Sequence, residues 1–278
     1  MNNFEKNIIS IYGNLGKSWL TNIPAIVQKL ANKWQLTDLT YPSPEILSFN
    51  FIAFAKLDKQ KVVLKISPRT EDLKREALSI QAFAGNGMVQ LIAFNDQALL
   101  LQRAIAGISL KETYMNDRQA KVKISCEVMR NLLKAEMPSQ RSDFMSLNAR
   151  FAPIFQDFAL PQEYLLKAQK FFNQLTVKYQ ETNLLHGDLH AYNIISNKDG
   201  WLAIDPKGLI GHPIIEACCF IEDFEKDTAF IANFFGFELQ DLRQIYYSHI
   251  ILATCWMLED HLNPEKFLAI AEKINGLV

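Results

Sequence analysis

Three polar residues in one stretch of this sequence have the types and order needed for chemistry on a phosphate group. Asp188 follows a glycine, Asn193 begins the next apolar run, and Asp205 ends the run after that. A carboxylate can accept the proton of an attacking hydroxyl group, and an amide oxygen and a second carboxylate suit Mg²⁺ as ligands. The set therefore indicates phosphoryl transfer from ATP, with Asp188 as the base and with Asn193 and Asp205 as metal ligands.

Two short strands must position these three side chains. The apolar runs lie on either side of residues 197–200, Asn-Lys-Asp-Gly, which is a turn sequence, so the pattern predicts a β-hairpin. Asp188 precedes the first strand, Asn193 begins it and Asp205 ends the second strand. The hairpin therefore predicts that the three side chains converge at one of its ends.

A lysine lies among apolar residues in a strand predicted over residues 61–67. The run Val-Val-Leu-Lys-Ile resembles the Val-Ala-Ile-Lys strand of protein kinases, in which the lysine points at the α and β phosphates of the nucleotide. We therefore expect Lys65 to bind phosphate. A helix predicted over residues 71–83 carries Glu76, the candidate partner that holds the Lys65 ammonium, with Glu71 as the alternative.

The pattern changes from strands to helices near residue 104, which predicts an α+β protein with two lobes. We predict an N-terminal nucleotide-binding lobe with an antiparallel sheet over residues 1–103, and a mainly helical lobe with the catalytic loop and acceptor pocket over residues 104–278. The hinge backbone from Gln102 to Ala104 is expected to hydrogen-bond adenine. The predicted strands cover residues 46–57, 61–67, 88–94 and 97–103. The predicted helices cover residues 17–36 (with Pro24 in the first turn), 71–83, 110–114, 117–136, 161–182, 213–235, 238–260 and 264–275.

Two alternatives to a kinase remain open from the residues alone. His186, Asp188 and His190 alternate along the loop and would suit the metal site of a hydrolase, although the other histidines form no paired motif that completes it. The second alternative is a nucleotide-binding protein without catalysis, because residues 47–51, which are expected to cover the nucleotide, contain no glycine.

The bulk composition argues against several function classes. The chain has 278 residues with 29 basic and 30 acidic side chains, and a net charge of -1 provides no general attraction to nucleic acid or an anionic membrane. No stretch reaches the roughly 18 apolar residues that a membrane span requires, and the first residues lack the order of a secretory signal. We therefore predict a cytoplasmic monomer or homodimer that binds neither nucleic acid nor membrane. The four cysteines have no Cys-x-x-Cys spacing and are predicted to be free thiols.

Two motifs of this chain resemble those of the aminoglycoside phosphotransferases, in detail the streptomycin 6-kinase (aminoglycoside and hydroxyurea resistance kinase) branch. They are His-Gly-Asp-Leu-His-Ala-Tyr-Asn at 186–193 and Ile-Asp-Pro-Lys-Gly at 204–208. The likeness covers residues from about 17 to 216. It implies a protein-kinase-like fold, ATP with Mg²⁺, and transfer to a hydroxyl group of a small molecule. In that family pattern Asp188 is the base, and Lys65 contacts phosphate.

The resemblance also implies roles for residues around the nucleotide and the acceptor. Because the covering loop lacks glycine, the Ser48 hydroxyl or the Asn50 amide is the candidate phosphate contact there. A polycationic aminoglycoside would need carboxylates around its pocket. The acceptor pocket is predicted to contain His190, Glu216, Glu222 and Asp223. The expected function is that of a streptomycin 6-kinase-like aminoglycoside kinase, and a sugar, choline or an amino-sugar adduct is the alternative acceptor.

Overall fold

The computed structural model of the chain describes residues 1–44, 47–198 and 200–278. Ten helices and ten strands, joined by short 3-10 turns, make up this described part. In chain order they are α1 Asn3–Trp34, β1 Leu36–Thr40, β2 Phe51–Leu57, β3 Gln60–Ile66, α2 Thr70–Phe83, β4 Leu91–Asn95, β5 Ala98–Gln102, β6 Ala106–Ser109, α3 Leu110–Thr113, α4 Arg118–Leu132, α5 Leu147–Phe151, α6 Gln162–Lys178, β7 Asn183–Leu185, β8 Ile194–Asn197, β9 Gly200–Ala203, β10 Leu209–Gly211, α7 Pro213–Glu216, α8 Phe224–Phe235, α9 Leu239–Glu259 and α10 Glu265–Asn275.

The N-terminal part is a five-stranded antiparallel sheet in the order β1-β2-β3-β5-β4. Side chains alternate between its two faces. Leu64 and Leu100 share one apolar cluster with residues of α1, whereas Leu99 belongs to the other cluster, together with residues of α2. Lys65 is paired with Leu99 across β3 and β5, so the lysine lies on the face away from α1.

Helix α1 is longer than the sequence pattern predicts. The Asn2 side chain accepts the Glu5 backbone N–H at 2.9 Å, and the Glu5 carboxylate accepts the Asn2 N–H at 3.0 Å, which starts the helix far upstream of residue 17. A left-handed residue, Gly13, kinks the helix at φ 55°. Pro24 lies in the helix interior, so the prediction that it occupies the first turn was wrong.

The C-terminal part is mainly helical, with α9 at its centre, packed against α6 and α10. Two small antiparallel sheets carry the functional loops, β6-β8-β9 and β10-β7. The hairpin of β8 and β9 is present, with Ile194 paired to Ala203, and Asp199 of its predicted turn lies outside the described residues. Strand β6 follows the hinge and pairs with β8, so the hinge is attached directly to the hairpin.

Several predicted boundaries differ from the observed ones. The strand expected from residue 46 begins at Phe51, and Ile46 lies outside the described residues. The helix expected over 213–235 is broken between α7 and α8, because the Asp223 carboxylate accepts the Lys226 N–H at 3.0 Å and caps a new helix there. Strand β1 was not predicted. The division of the chain at residues 103 and 104 stays a prediction.

Within the described residues, no helix has both the length and the hydropathy to cross a membrane. The four cysteines are free thiols, as the sequence predicts.

Candidate active site

The loop between β7 and β8 places Asp188 next to Asn193. The Asn193 side-chain amide nitrogen donates to the Asp188 backbone oxygen at 2.9 Å and lies 3.5 Å from Asp188 Oδ2. Gly187 adopts a left-handed φ of 82°, and a Cβ there would lie 3.2 Å from Cβ of Leu209 and of Lys207. The loop therefore needs glycine before the carboxylate, and the Asp188 side chain remains about one-third exposed.

His186 supports this loop from inside the protein. The Asp188 backbone N–H donates to His186 Nδ1 at 3.2 Å, so Nε2 carries the ring proton and donates to the Ile204 oxygen at 2.7 Å. Burial lowers the pKa of His186 to about 4, which keeps the ring neutral near pH 7. Both ring nitrogens are engaged, so the hydrolase interpretation, in which His186 is a metal ligand, was wrong.

The neutral state of His186 predicts an acid-dependent loss of stability. Its pKa is lowered from 6.5 to about 4 in the folded chain, so folding is fully supported above pH 6.5 and the support is lost as the pH falls toward 4. At 1.36 kcal/mol per pKa unit this amounts to about 3 kcal/mol. We expect wild type to lose that much more unfolding free energy between pH 7 and pH 4 than His186→Gln, measured by urea denaturation.

The control for this experiment is His261→Gln at an exposed position, which should keep the wild-type pH dependence. Parallel curves for wild type and His186→Gln would contradict the assignment of a buried neutral ring.

Lys65 joins the N-terminal sheet to the hairpin. Its ammonium donates to the two Glu76 carboxylate oxygens at 2.8 and 2.7 Å, and to Asp205 Oδ1 at 2.9 Å. Glu76 is therefore the partner, and not Glu71. Burial opposes the charge of Lys65, but the carboxylates of Asp205 and Glu76 outweigh it and raise the pKa of the ammonium above its ordinary value. Burial also raises the pKa of Glu76, and the Lys65 ammonium opposes that shift.

Asp205 ends the hairpin in a left-handed conformation, with φ 60°. Burial would raise the pKa of its carboxyl group, but the ammonium groups of Lys65 and Lys207 outweigh burial and hold this pKa below its ordinary value. The side chain is therefore an ionised carboxylate, and it is one-third exposed. The Ile204 backbone N–H donates to the Asn193 backbone oxygen at 2.9 Å, which places Asp205 and Asn193 on adjoining backbone segments.

The donor set of these two residues fits a magnesium ion. The Asn193 amide nitrogen is used in the loop, so its side-chain oxygen is the atom available to a ligand. Asp205 has one carboxylate oxygen on Lys65 and a second one available. Mg²⁺ is typically held by one or two protein oxygens together with substrate phosphates and water. Among the described residues, no three His, Cys, Asp or Glu side chains lie together in a way that could hold a metal.

Two residues hold the loop that carries Asp188 in place: Glu216, which the sequence assigned to the acceptor pocket, and Arg150, which the sequence did not indicate. Glu216 is buried, and its carboxylate accepts the Gly187 N–H at 2.9 Å and the Leu189 N–H at 3.3 Å. Burial raises the pKa of Glu216 to about 7. Arg150 donates to the Gly187 oxygen at 2.8 Å and lies 4.2 Å from the Trp256 ring centroid. The backbone on both sides of Asp188 is thereby bonded to other elements.

Replacing Glu216 by alanine leaves two buried backbone donors without acceptors. Such a loss costs about 2–4 kcal/mol of unfolding free energy, which is about 4–8 °C in melting temperature for a chain of this size. We also expect kcat to fall, because the loop that carries Asp188 loses both bonds. The exposed Glu272→Ala is the matched control and should melt like wild type. A Glu216→Ala melting temperature equal to that of wild type would contradict the assigned contacts.

The predicted acceptor residues are placed differently from one another. The prediction for Glu216 was wrong, because its carboxylate faces inward to the loop backbone. The Glu222 carboxylate pairs with Lys111 at 3.0 Å and Lys121 at 2.6 Å, so its charge is already compensated. The Asp223 carboxylate caps α8. Of the four, only His190 lies beside the proposed base, with Nε2 3.8 Å from Asp188 Oδ1.

Two backbone N–H groups of the hinge, which were predicted to contact the nucleotide, are already bonded within the protein. The Gln102 N–H donates to the Gln90 oxygen at 2.9 Å, so this donor is not available to adenine. The Arg103 N–H likewise donates to the Lys61 oxygen at 3.2 Å. Ala104 follows directly and stays the candidate for hydrogen bonds to adenine. Ser48 is exposed, and its backbone oxygen accepts from the Asn7 side chain at 3.2 Å.

Comparisons with known proteins identify relatives of this chain. The sequence is 22% identical to the hydroxyurea phosphotransferase of Kitasatospora aureofaciens over 280 residues, covering 95% of this chain and 82% of the relative. It is 24% identical to the streptomycin 6-kinase of Streptomyces glaucescens over 216 residues, covering 73% of this chain and 67% of the relative.

The fold is similar to that of solved kinases. A crystal structure of a thermostable mutant of aminoglycoside phosphotransferase APH(4)-Ia, in a ternary complex with ADP and hygromycin B, superposes with a TM-score of 0.64 at 14% identity. The superposition covers 88% of this chain and 95% of that one, and it confirms the predicted protein-kinase-like fold. The family described as aminoglycoside/hydroxyurea antibiotic resistance kinase matches residues 37–235. The chain therefore belongs to the aminoglycoside/hydroxyurea antibiotic resistance kinase family and is a phosphotransferase.

Proposed function

We propose that this protein transfers the γ-phosphoryl group of Mg-ATP to a hydroxyl group of a small molecule. One observation carries the proposal. The carboxylate of Asp188, the amide of Asn193 and the carboxylate of Asp205 lie on adjoining segments, and Asp205 is bonded to Lys65 of the N-terminal sheet. We assign Asp188 as the base, Asn193 and Asp205 as the oxygen ligands and Lys65 as the phosphate contact, which is the set that phosphoryl transfer requires.

The residues divide the reaction between them. The acceptor hydroxyl attacks the γ-phosphorus, its P–O bond forms as the bond to the β-phosphate oxygen breaks, and ADP leaves. Asp188 accepts the hydroxyl proton as the new bond forms. Asn193 and Asp205 would hold Mg²⁺, which offsets the charge of the phosphates. Lys65 has all three ammonium protons on carboxylates, so it must exchange one of these contacts to bind phosphate.

For the acceptor we propose first an aminoglycoside of the streptomycin type, because one relative bears the name streptomycin 6-kinase. A small uncharged acceptor such as hydroxyurea is the second candidate, and a specific observation favours it. Glu216 is turned inward and Glu222 is compensated by two lysines, so neither supplies free negative charge for a polycation. The aligned hydroxyurea phosphotransferase also covers more of the chain.

Transfer of labelled phosphate from ATP tests the proposal. With Mg²⁺ present, we expect label on streptomycin or hydroxyurea and none when the metal is removed with EDTA. A panel that adds sugars, choline and amino-sugar adducts covers the remaining acceptors. Binding of Mg-ATP without label on any compound of the panel would contradict the proposed function and favour a nucleotide-binding protein without catalysis.

Two carboxylates at the end of α9 allow a test of whether the acceptor is positively charged. Glu259 and Asp260 are exposed there, one turn beyond Trp256. The Trp256 ring contacts Arg150, the residue that is bonded to the loop of Asp188. If streptomycin is the acceptor, the double variant Glu259→Gln/Asp260→Asn should raise its KM about threefold to tenfold, since exposed charge pairs contribute up to about 1 kcal/mol each. The KM for ATP serves as the control and should not change. An unchanged streptomycin KM would contradict recognition of the acceptor by these carboxylates.

A further inference from the structure

A second lysine lies beside Asp188 and has no part in the mechanism above. The Lys207 ammonium is 3.9 Å from Asp188 Oδ2, and its side chain is 46% exposed. This separation is too long for a hydrogen bond, and an exposed ion pair of this kind contributes little to stability. The contact with Asp188 therefore gives no structural reason for a lysine at this position, although the charge of Lys207 also helps to keep Asp205 ionised.

The backbone that carries Lys207 is nevertheless held firmly. Its N–H donates to the His186 oxygen at 2.7 Å, and the Gly208 N–H reaches the same oxygen at 3.3 Å. A Cβ on Gly208 would lie 2.1 Å from the Ser79 hydroxyl oxygen, so the segment is pressed against α2. Pro206 restricts the backbone on the other side. A flexible side chain thus starts from a fixed point between the proposed base and the proposed metal ligand Asp205.

The other cations near the loop are already engaged. Lys65 has three ammonium protons, and these are donated to the two oxygens of Glu76 and to Asp205. Arg150 is bonded to the Gly187 oxygen and lies over the Trp256 ring. Among the described side chains around Asp188, Lys207 is the cation whose ammonium makes no hydrogen bond to the protein.

We infer that Lys207 is a catalytic residue that contacts the phosphoryl group while it moves from ATP to the acceptor; this rests on the proposed function. In such a transfer negative charge is spread over the three equatorial oxygens of the phosphoryl group. An ammonium next to the base is placed where the attacking hydroxyl meets that group. Lys207 keeps its proton throughout, because the hydroxyl proton goes to Asp188 and the electron pair of the broken P–O bond leaves with ADP. Its contribution is electrostatic.

Lys207→Met tests the inference, because methionine keeps the length of the side chain and removes the charge. We expect kcat to fall about 10²–10³-fold, as for loss of one electrostatic contact in a transition state, with the KM for ATP changed less than about threefold because the contact is made in the transition state. Lys207→Arg should recover at least about a tenth of the wild-type kcat, since the charge is restored. The exposed Lys59→Met is the matched control and should behave as wild type.

A binding measurement separates this role from a structural one. Aluminium fluoride with Mg-ADP imitates the transferring phosphoryl group, and we expect it to tighten Mg-ADP binding to wild type in calorimetry. Lys207→Met should lose at least about tenfold of that tightening while it binds Mg-ADP alone as wild type does. Its melting temperature should also match that of wild type.

Three results would overturn the inference. The first is a Lys207→Met kcat within threefold of wild type, and the second is equal tightening by aluminium fluoride in both proteins. The third is a loss of affinity for Mg-ADP alone that is as large as the loss of affinity for Mg-ADP with aluminium fluoride. A wild-type protein that phosphorylates no acceptor would instead overturn the proposed function, which keeps the two failures distinguishable.

Discussion

Asp188→Asn should reduce kcat by about 10³-fold, because general base catalysis by a positioned carboxylate contributes about 10²–10⁴-fold. Asparagine has nearly the shape of aspartate but cannot accept the hydroxyl proton. The bond from the Asn193 side chain goes to the backbone oxygen of residue 188 and so remains in the variant. The loop is also held by Glu216 and Arg150, which do not contact the Asp188 side chain. Transfer of labelled phosphate under single-turnover conditions measures the chemical step directly.

Binding provides the control for this variant. We expect the Kd of Mg-ATP for Asp188→Asn to stay within about threefold of wild type, because a group that acts on the transferred proton contributes little to ground-state binding. Turnover within tenfold of wild type would contradict the role of Asp188 as the base. Loss of Mg-ATP binding together with turnover would instead indicate that the residue holds the nucleotide or its metal.

Asp205→Asn should abolish magnesium-dependent binding of ATP and reduce kcat/KM by about 10³-fold or more, since a bound metal supplies several kcal/mol of charge stabilisation. The low pKa of Asp205 means that the native side chain carries a full negative charge, which asparagine lacks. Lys65 keeps its two bonds to Glu76 in the variant, so the lysine proposed to contact phosphate stays in place. Calorimetry of ATP with and without Mg²⁺ measures the effect.

Asp205→Ala separates the chemistry at this position from its backbone conformation. Residue 205 has a φ of 60°, which asparagine and aspartate tolerate better than other residues with a side chain. We therefore expect both variants to be inactive, with Asp205→Asn melting near wild type and Asp205→Ala melting lower. Full activity of Asp205→Asn would contradict the assignment of this carboxylate as a metal ligand.

The contacts that the sequence predicted correctly are local ones. The β8–β9 hairpin follows from a turn sequence between two apolar runs, and its geometry brings Asp205 back to Asn193. The burial of Lys65 follows from its apolar neighbours in a strand, and Glu76 lies on the face of the next helix that meets this strand. In each case short-range patterns determine which side chains share a face.

The parts that were missed depend on contacts between distant elements. Glu216 lies 29 positions after Gly187, and Arg150 lies 37 positions before it. In sequence, Glu216 has the pattern of an ordinary helix residue, and only the packing of α7 against the loop turns it inward. The charge of Glu222 is compensated by Lys121, 101 positions away. The sequence gives the number of carboxylates, but tertiary contacts determine which of them face an acceptor.

A crystal structure with Mn²⁺ and a non-hydrolysable ATP analogue would show which side chains hold the metal, because the anomalous signal locates the ion. We expect an ion bound by the Asn193 side-chain oxygen and the Asp205 carboxylate, with the γ-phosphate directed at Asp188 and the adenine at the backbone of Ala104. An ion bound elsewhere, or a triphosphate that points away from Asp188, would contradict this expectation.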